Sequence, residues 1–304
     1  MSAVDSATEP IAVSAPRTDR NSARSFGVLT LTCPERPGIV QAVTSFLLAH
    51  GLNIVEHHQF DDSDRDVLFL RTAFAAEHEL DLDRLTSAFA PTADEFDMNF
   101  SFHDETKPRL LVLVSKLGHC LNDLIFRWRA GTLGGDIALV VSNHADLRPM
   151  AEAANLPFIH LPVTSDTKSE AEGRLLELVA EHDIDLVVLA RYMQILSDDL
   201  CKALEGRAIN IHHSFLPGFK GAKPYHQAYS RGVKLVGATA HYVTPDLDEG
   251  PIIEQEVIRV DHTYHPRTLA TVGQDAECLA LSRAVRWHCE NRILFHGGST
   301  VVFR

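Results

Sequence analysis

Three residues able to move protons or stabilise charge lie close together in the second half of this 304-residue chain. Asn210 and His212 are two positions apart in the apolar run AINIH, where strand alternation turns both side chains to one face. Asp248 follows a second apolar run, LVGATAHYVT, and precedes a Gly-Pro pair typical of a tight turn. An amide, an imidazole and a carboxylate gathered at strand ends can catalyse acyl chemistry without a metal or a covalent nucleophile. The pattern therefore indicates an enzyme.

Each of these residues also has an ordinary structural explanation. A single His in a strand is commonly structural, and an Asn near a turn commonly satisfies the backbone. An Asp in a sequence such as PDLDEG is commonly a solvated turn residue. Order and spacing over more than forty positions make the three informative together.

The whole string resembles the formyltransferase family that uses 10-formyltetrahydrofolate. That family carries Asn-Ile-His, a Ser-Leu-Leu-Pro-like run and Asp-x-Gly-Pro-Ile, which stand here at 210–212, 214–217 and 248–252. The resemblance implies that Asn210 and His212 stabilise the formyl oxygen and that Asp248 transfers protons. It assigns a supporting role to His213, which replaces a Pro usual in the transferases. His241, seven positions before Asp248 on the incoming strand, is expected to orient or support that carboxylate.

The run LARYMQIL at 189–196 also matches the family, in which such a segment holds the pterin ring through its backbone. The resemblance implies a substrate pocket that Gly250 also helps to form. A strand end followed by a helix start explains the apolar part of this run equally well. The pocket residues expected from the run are Met193, Gln194, Ile195 and Leu196.

The acceptor of the formyl group decides the reaction. Glycinamide ribonucleotide transformylases bind the acceptor phosphate at a Gly-rich turn, of which SKLGHCLND (115–123) keeps only Gly118. Water then becomes the expected acceptor, and hydrolysis yields formate and tetrahydrofolate, serving one-carbon balance and formate supply for purine synthesis. The alternatives are formyl transfer to an amine and a non-catalytic folate or amino-acid sensor. No cofactor is expected besides the folate substrate.

Residues 25–104 have the pattern of a small βαββαβ domain. Apolar positions at Ile39, Val43, Phe46 and Leu47 predict an amphipathic helix, and paired alternating runs follow it. With Pro37-Gly38 between strand and helix and Gly51-x-Asn53-Ile54 entering the second strand, this ferredoxin-like segment resembles the ACT family. Members of that family pair side by side and bind amino acids. By that resemblance Gly38 and Asn53 lie near an effector, and the protein forms a dimer or tetramer. An oligomerising domain with an empty site is the alternative.

Apolar runs and helical stretches alternate through 105–304, which predicts a doubly wound, mostly parallel α/β domain. The likeness to family members that hydrolyse 10-formyltetrahydrofolate covers about 25–304. Residues 1–24, rich in Ser, Ala, Pro and charge, are expected to form a disordered tail.

The composition limits the kinds of binding partner that the protein is expected to have. A net charge of −13 argues against nucleic acid, and no apolar run reaches the roughly 18–20 residues that span a bilayer. Five scattered cysteines form no C-x-x-C pair, which favours a reducing cytoplasm. No histidine spacing of a known metal motif occurs among the 17 histidines, so no metal is expected.

Overall fold

A computed structural model of the protein describes residues 24–216 and 228–304, which contain three β-sheets. The predicted disordered tail lies outside the described residues except for Arg24 and stays a prediction. Pro217 of the family motif lies outside them as well. Within the two described ranges, no helix is both long and apolar enough to cross a membrane.

The first sheet contains four antiparallel strands in the order β2-β3-β1-β4, crossed by two helices. Strands and helices follow one another as βαββαβ, the order that the sequence predicts. The elements are β1 (Ser25–Pro34), α1 (Ile39–Ala49), β2 (Asn53–Asp62), β3 (Val67–Ala76), α2 (Leu82–Phe96) and β4 (Asn99–His103).

Helix α2 is longer than its sequence pattern suggests. The pattern LDLDRLTSAFAPTA ends at position 93, whereas the helix continues to Phe96. Asp81 caps its start by accepting a hydrogen bond from the backbone of Arg84 at 2.9 Å. Phe89 and Phe96 are both buried on the face toward the sheet, so one further helical turn covers more apolar surface.

The second sheet has seven strands in the order β11-β10-β9-β8-β5-β6-β7. Strands β5 to β9 are parallel, and β10 and β11 extend the sheet antiparallel. The elements are β5 (Arg109–Val114), α3 (His119–Arg129), β6 (Asp136–Ser142), α4 (Arg148–Ala153), β7 (Phe158–His160), α5 (Lys168–Glu181), β8 (Leu186–Leu189), α6 (Asp198–Ala203), β9 (Ala208–His212), β10 (Leu235–Tyr242), β11 (Ile252–Arg259) and α7 (Pro266–Cys289).

Both faces of this sheet are buried, as the predicted doubly wound fold requires. Alternate residues of β5 enter two separate cores, with Leu110 and Val112 on the side of α3 and α7. Leu111 and Leu113 enter the core on the side of α5 and α6. The strand order reverses between β5 and β8, and ligands of such sheets bind beyond the strand ends at that point.

Strand β7 is much shorter than the apolar run LPFIHLPV indicates. Only Phe158–His160 pairs with β6. Pro157 and Pro162 flank this segment and have no N–H to donate to a strand ladder, which restricts pairing to the residues between them.

A two-stranded hairpin joins the two larger sheets. Its strands, β12 (Ile293–His296) and β13 (Ser299–Val302), follow α7 and return to the first sheet. Phe69 of β3 is fully buried in a small core with Leu294 and Phe303. Arg71 of the same strand donates hydrogen bonds to the carbonyl oxygen of Glu290 at the end of α7. The first sheet is therefore anchored to the second through the end of α7 and this hairpin.

We expect Phe69→Ala to lower the free energy of unfolding by about 3–5 kcal/mol, because it empties the core of the joint. Urea unfolding followed by circular dichroism measures this change. Phe126→Ala is the matched control, since Phe126 is 68% exposed and its truncation leaves the core intact. Equal effects of the two substitutions would contradict the role of Phe69.

Candidate active site

A cavity of about 470 Å³ opens at the carboxyl ends of β8 and β9, beside the turn that follows β10. Its volume is within the usual range of small-molecule sites. The structure brings nearly all of the predicted site residues together there. The lining includes Met193, Gln194, Ile195, Leu196, Asn210, His212, His213, His241 and Asp248.

His212 and Asp248 are hydrogen-bonded to each other at this cavity. The Nδ1 atom of His212 is 3.1 Å from Oδ1 of Asp248. The other ring nitrogen, Nε2, is buried and makes no hydrogen bond with any described residue. Since Asp248 occupies Nδ1, the nitrogen left for a substrate is Nε2.

His241 and Asn210 face each other across the pairing of β9 with β10. Nδ1 of His241 lies 2.9 Å from the carbonyl oxygen of Tyr242, and burial lowers the pKa of this imidazole. A neutral ring that donates through Nδ1 accepts through Nε2. That atom is 3.2 Å from Nδ2 of Asn210, so His241 fixes which way the amide points.

Asp248 is held in its ionised form. The hydrogen bond from His212 lowers the pKa of the Asp248 carboxyl below its ordinary value and outweighs the opposing effect of burial. Its pairing energy is therefore present at neutral pH and is lost only as the pH falls through this lowered pKa. The residue also has a left-handed backbone, with φ of 58°, which aims the side chain out of the turn.

Gly250 does not have the position that the sequence predicts. The residue is buried against the backbone of Tyr242 and is absent from the cavity lining. A Cβ atom here would lie 1.7 Å from the carbonyl oxygen of Tyr242 and 3.3 Å from Nδ1 of His241. Only glycine lets the turn carrying Asp248 come this close to β10, so Gly250 shapes the site from behind.

The segment expected to hold a pterin is fixed by a contact that the sequence pattern did not reveal. Ser115, just after β5, accepts a hydrogen bond from the backbone N–H of Met193 at 3.0 Å. The same hydroxyl donates to Asn143 at 2.7 Å. Met193 and Ile195 remain 57% and 62% exposed, and they present apolar surface at the cavity. Ser115 lies in SKLGHCLND and Asn143 in VSNHADL, and their place at strand ends was the feature of the sequence that could have indicated this contact.

Two charged residues beside the cavity were also missed. Arg191 lines the cavity although it is only 9% exposed. Glu277 of α7 is 1% exposed and is paired with both Arg191 and His119. The sequence indicated Arg191 through a charged residue inside the apolar run VVLARYM. It gave no such indication for Glu277, which lies on a helix whose apolar pattern is that of a structural element.

His213 is a neutral imidazole at the rim of this group. Burial, followed by the charges of Arg191 and His212, lowers the pKa of His213 to about 4.

One group of metal-ligand type occurs in the described ranges, formed by His119, Cys120 and Glu277. A hydrogen bond with Cys278 and burial raise the pKa of the Cys120 thiol well above its ordinary value. Metals bind the thiolate, so the thiol form is a poor ligand. The absence of a metal from the reaction stays a prediction.

The two predicted effector residues lie apart in the chain's own fold. Gly38 precedes α1, with a left-handed φ of 102°, and Asn53 begins β2 after the helix has ended. A helix of 11 residues is about 16 Å long, so one small molecule cannot touch both within one protomer.

The sequence pattern of the family described as "Formyl transferase" matches residues 108–285. This range begins at the edge of β5 and includes every predicted catalytic residue. The larger sheet and its cavity therefore define a formyl transferase domain.

Relatives that match nearly the whole chain identify the family within this class of domains. "Formyltetrahydrofolate deformylase" of Corynebacterium sp. (strain P-1) is 55% identical over 91% of this chain and 98% of its own length. The protein of that name from Bacillus subtilis (strain 168) is 47% identical over 93% and 96%. The crystal structure of that enzyme from Burkholderia mallei has 52% identity and a TM-score of 0.86, covering 92% of this chain and 100% of that one. The chain belongs to the formyltetrahydrofolate deformylase family.

We expect Gly250→Ala to destabilise the protein and disorder the catalytic turn, because the added Cβ meets the Tyr242 carbonyl. The melting temperature should fall by several degrees, as for overpacking that costs about 1–3 kcal/mol. Gly298→Ala is the control, since its Cβ meets nothing within 4 Å. A Gly250→Ala protein that melts with the control would contradict the close approach.

Proposed function

We propose that this protein hydrolyses 10-formyltetrahydrofolate to formate and tetrahydrofolate. The observation that carries the proposal is the cluster of Asn210, His212 and Asp248 in one cavity, in a chain whose relatives are named for this reaction. One-carbon balance and formate supply for purine synthesis are the processes that such an activity serves.

The attack on the formyl carbon places negative charge on its oxygen. Asn210 offers an amide N–H whose direction is fixed by His241, and His212 offers Nε2. Donors already aimed at the developing oxyanion lower the barrier, and removing one commonly costs about 100- to 1000-fold in rate. His212 donates from Nε2 while keeping Nδ1 on Asp248 when its ring carries both protons.

Asp248 transfers protons in this proposal. Its ionised carboxylate accepts a proton from the attacking water, and a proton passes to the leaving N10 of the folate. The bond from water oxygen to formyl carbon forms, and the bond from carbon to N10 breaks. These residues and water suffice for the chemistry, so the proposal includes no cofactor and no metal.

The folate lies along the run at 193–196. The Ser115 hydroxyl fixes the backbone of Met193, and the exposed side chains of Met193 and Ile195 offer an apolar surface. A flat, largely apolar ring system matches such a wall, and backbone polar groups of the run give it orientation. A cytoplasmic location, which the scattered cysteines favour, agrees with this substrate.

Water is the proposed acceptor because SKLGHCLND (115–123) keeps only Gly118 of the Gly-rich turn that binds the acceptor phosphate in the transformylases. Glu277 forms an ion pair with Arg191 and a hydrogen bond with His119 at the start of α3. A phosphate group placed there would meet a buried carboxylate. Transfer to a ribonucleotide amine is disfavoured for this reason, and a sensor would have no use for a proton-transfer residue.

We further propose that the first sheet is an ACT-type regulatory domain that binds an amino acid between two copies of the chain. In such a dimer, one ligand could contact Gly38 of one protomer and Asn53 of the other, which a single protomer does not allow. The proposed units are a domain at 25–104, a catalytic domain at 105–304 and a homodimer or a tetramer.

Formate release from 10-formyltetrahydrofolate by purified protein, with no amine present, tests the main proposal. Asp248→Asn should lower kcat by about 100- to 10,000-fold, because proton transfer is lost, while folate binding stays near normal. Asp246→Asn is the matched control, since Asp246 is exposed in the same turn and outside the cavity lining. Formate release that requires an added amine would replace hydrolysis with transfer.

Amino acids added singly to the same assay test the regulatory proposal. One of them should change the rate of formate release, and Asn53→Ala should abolish that change while leaving the basal rate intact. Gln59→Ala is the control, an exposed residue on the same strand. Light scattering gives the assembly size, and a strictly monomeric protein would contradict a site shared between copies.

A further inference from the structure

Arg191 is a buried cation at the catalytic cavity with unused hydrogen-bonding capacity. It follows β8 directly, is 9% exposed and lines the cavity beside Asn210 and His212. Its Nε and Nη1 atoms are buried and donate no hydrogen bond to any described residue. A buried guanidinium with unpaired N–H groups is costly, and such groups in native proteins call for a specific partner.

Glu277 anchors this arginine by an ion pair. Its Oε2 atom is 3.4 Å from Nε of Arg191 and 2.6 Å from Nε2 of His119. The contact between Glu277 and Arg191 is an ion pair without hydrogen-bond geometry, because Nε of Arg191 has no hydrogen-bond partner among the described residues. Glu277 therefore holds the cation in place and leaves donor positions for another group.

The backbone of Arg191 supports a dedicated role. Its φ is 66°, in the left-handed region that residues other than glycine rarely adopt. This conformation costs free energy and persists where the surroundings impose it, commonly at ligand sites. Here it directs a long charged side chain to the cavity at the carboxyl end of β8.

The charges around the cavity change during hydrolysis. The formyl group is neutral before the reaction, whereas its product at neutral pH is a carboxylate anion. Asp248 is negative and already paired with His212, and His213 is uncharged. Arg191, the one described residue of this lining with a permanent positive charge, is positioned to meet a new negative charge.

We propose that Arg191, anchored by Glu277, forms a subsite for the small carboxylate product, formate. The subsite rests on the hydrolysis proposed above, because that reaction makes the anion. Water supplies one carboxylate oxygen and the formyl group the other. One of the two water protons goes to N10 as the bond from carbon to N10 breaks, and the second is released to solvent when formic acid ionises. Arg191 then holds formate through N–H groups of its guanidinium.

Glu277 also keeps this affinity low enough for turnover. Its carboxylate partly neutralises Arg191 and repels a second anion nearby. Removal of that charge leaves Arg191 uncompensated and should strengthen formate binding. Arg191 and Glu277 therefore act on formate affinity in opposite directions, which a purely structural ion pair would not do.

Binding of ¹³C-formate to the full-length protein, followed by NMR line broadening without folate, tests the subsite directly. Arg191→Met should raise the formate dissociation constant roughly tenfold or more, because a charged hydrogen bond is lost. Arg191→Lys should keep part of the affinity, and Glu277→Gln should increase it. Arg207→Met is the matched control, an exposed arginine before β9, at the opposite end of that strand.

Formate as a product inhibitor of hydrolysis gives a second readout, with the same order of inhibition constants expected. Unchanged formate binding in an Arg191→Met protein that melts like the wild type would falsify the subsite. If that variant fails to fold, the comparison of Arg191→Lys with wild type decides, and equal affinity overturns the idea. Formate binding needs no folate turnover, so its loss is distinct from a failure to hydrolyse 10-formyltetrahydrofolate.

Discussion

The site depends on the antiparallel pairing of β9 with β10. Asn210 lies opposite His241 in this register, and Asp248 follows the end of β10, where both His212 and His241 reach it. A slip of one residue would turn every side chain of β9 to the other face and dissolve the cluster. The pairing of β10 with β11 shifts register between Ala240 and His241, an irregularity of the kind found beside active sites.

Much of this arrangement follows from local rules that operate within the sequence. Strand alternation is enough to place Asn210 and His212 on one face, and the apolar runs predict the two-sided sheet. Gly250 was assigned to the substrate because its motif belongs to the family site. Its actual constraint is a contact with the backbone of Tyr242, and nothing in the sequence encodes which carbonyl lies behind a turn.

Arg191 and Glu277 show the limit of sequence reasoning in another way. They are 86 positions apart, one after a buried strand and one in the middle of a long helix. Each alone appears as an isolated charge in an apolar surrounding. Their pairing depends on α7 crossing the sheet next to β9 and β10, which is a tertiary fact. A buried charge is interpretable only when its partner is known.

The joint between the sheets has a consequence for the order in which the protein matures. Phe69 and Arg71 both lie on β3. Phe69 packs with Leu294 and Phe303, and Arg71 donates a hydrogen bond to the carbonyl oxygen of Glu290, 219 positions later in the chain. During synthesis the first sheet therefore emerges from the ribosome with this apolar face uncovered, and Arg71 has Glu56 as a partner but not yet the end of α7. It stays so while the whole second sheet is translated, at about 5–20 residues per second. The early domain is thus completed by late residues, and chaperones have this interval in which to bind it.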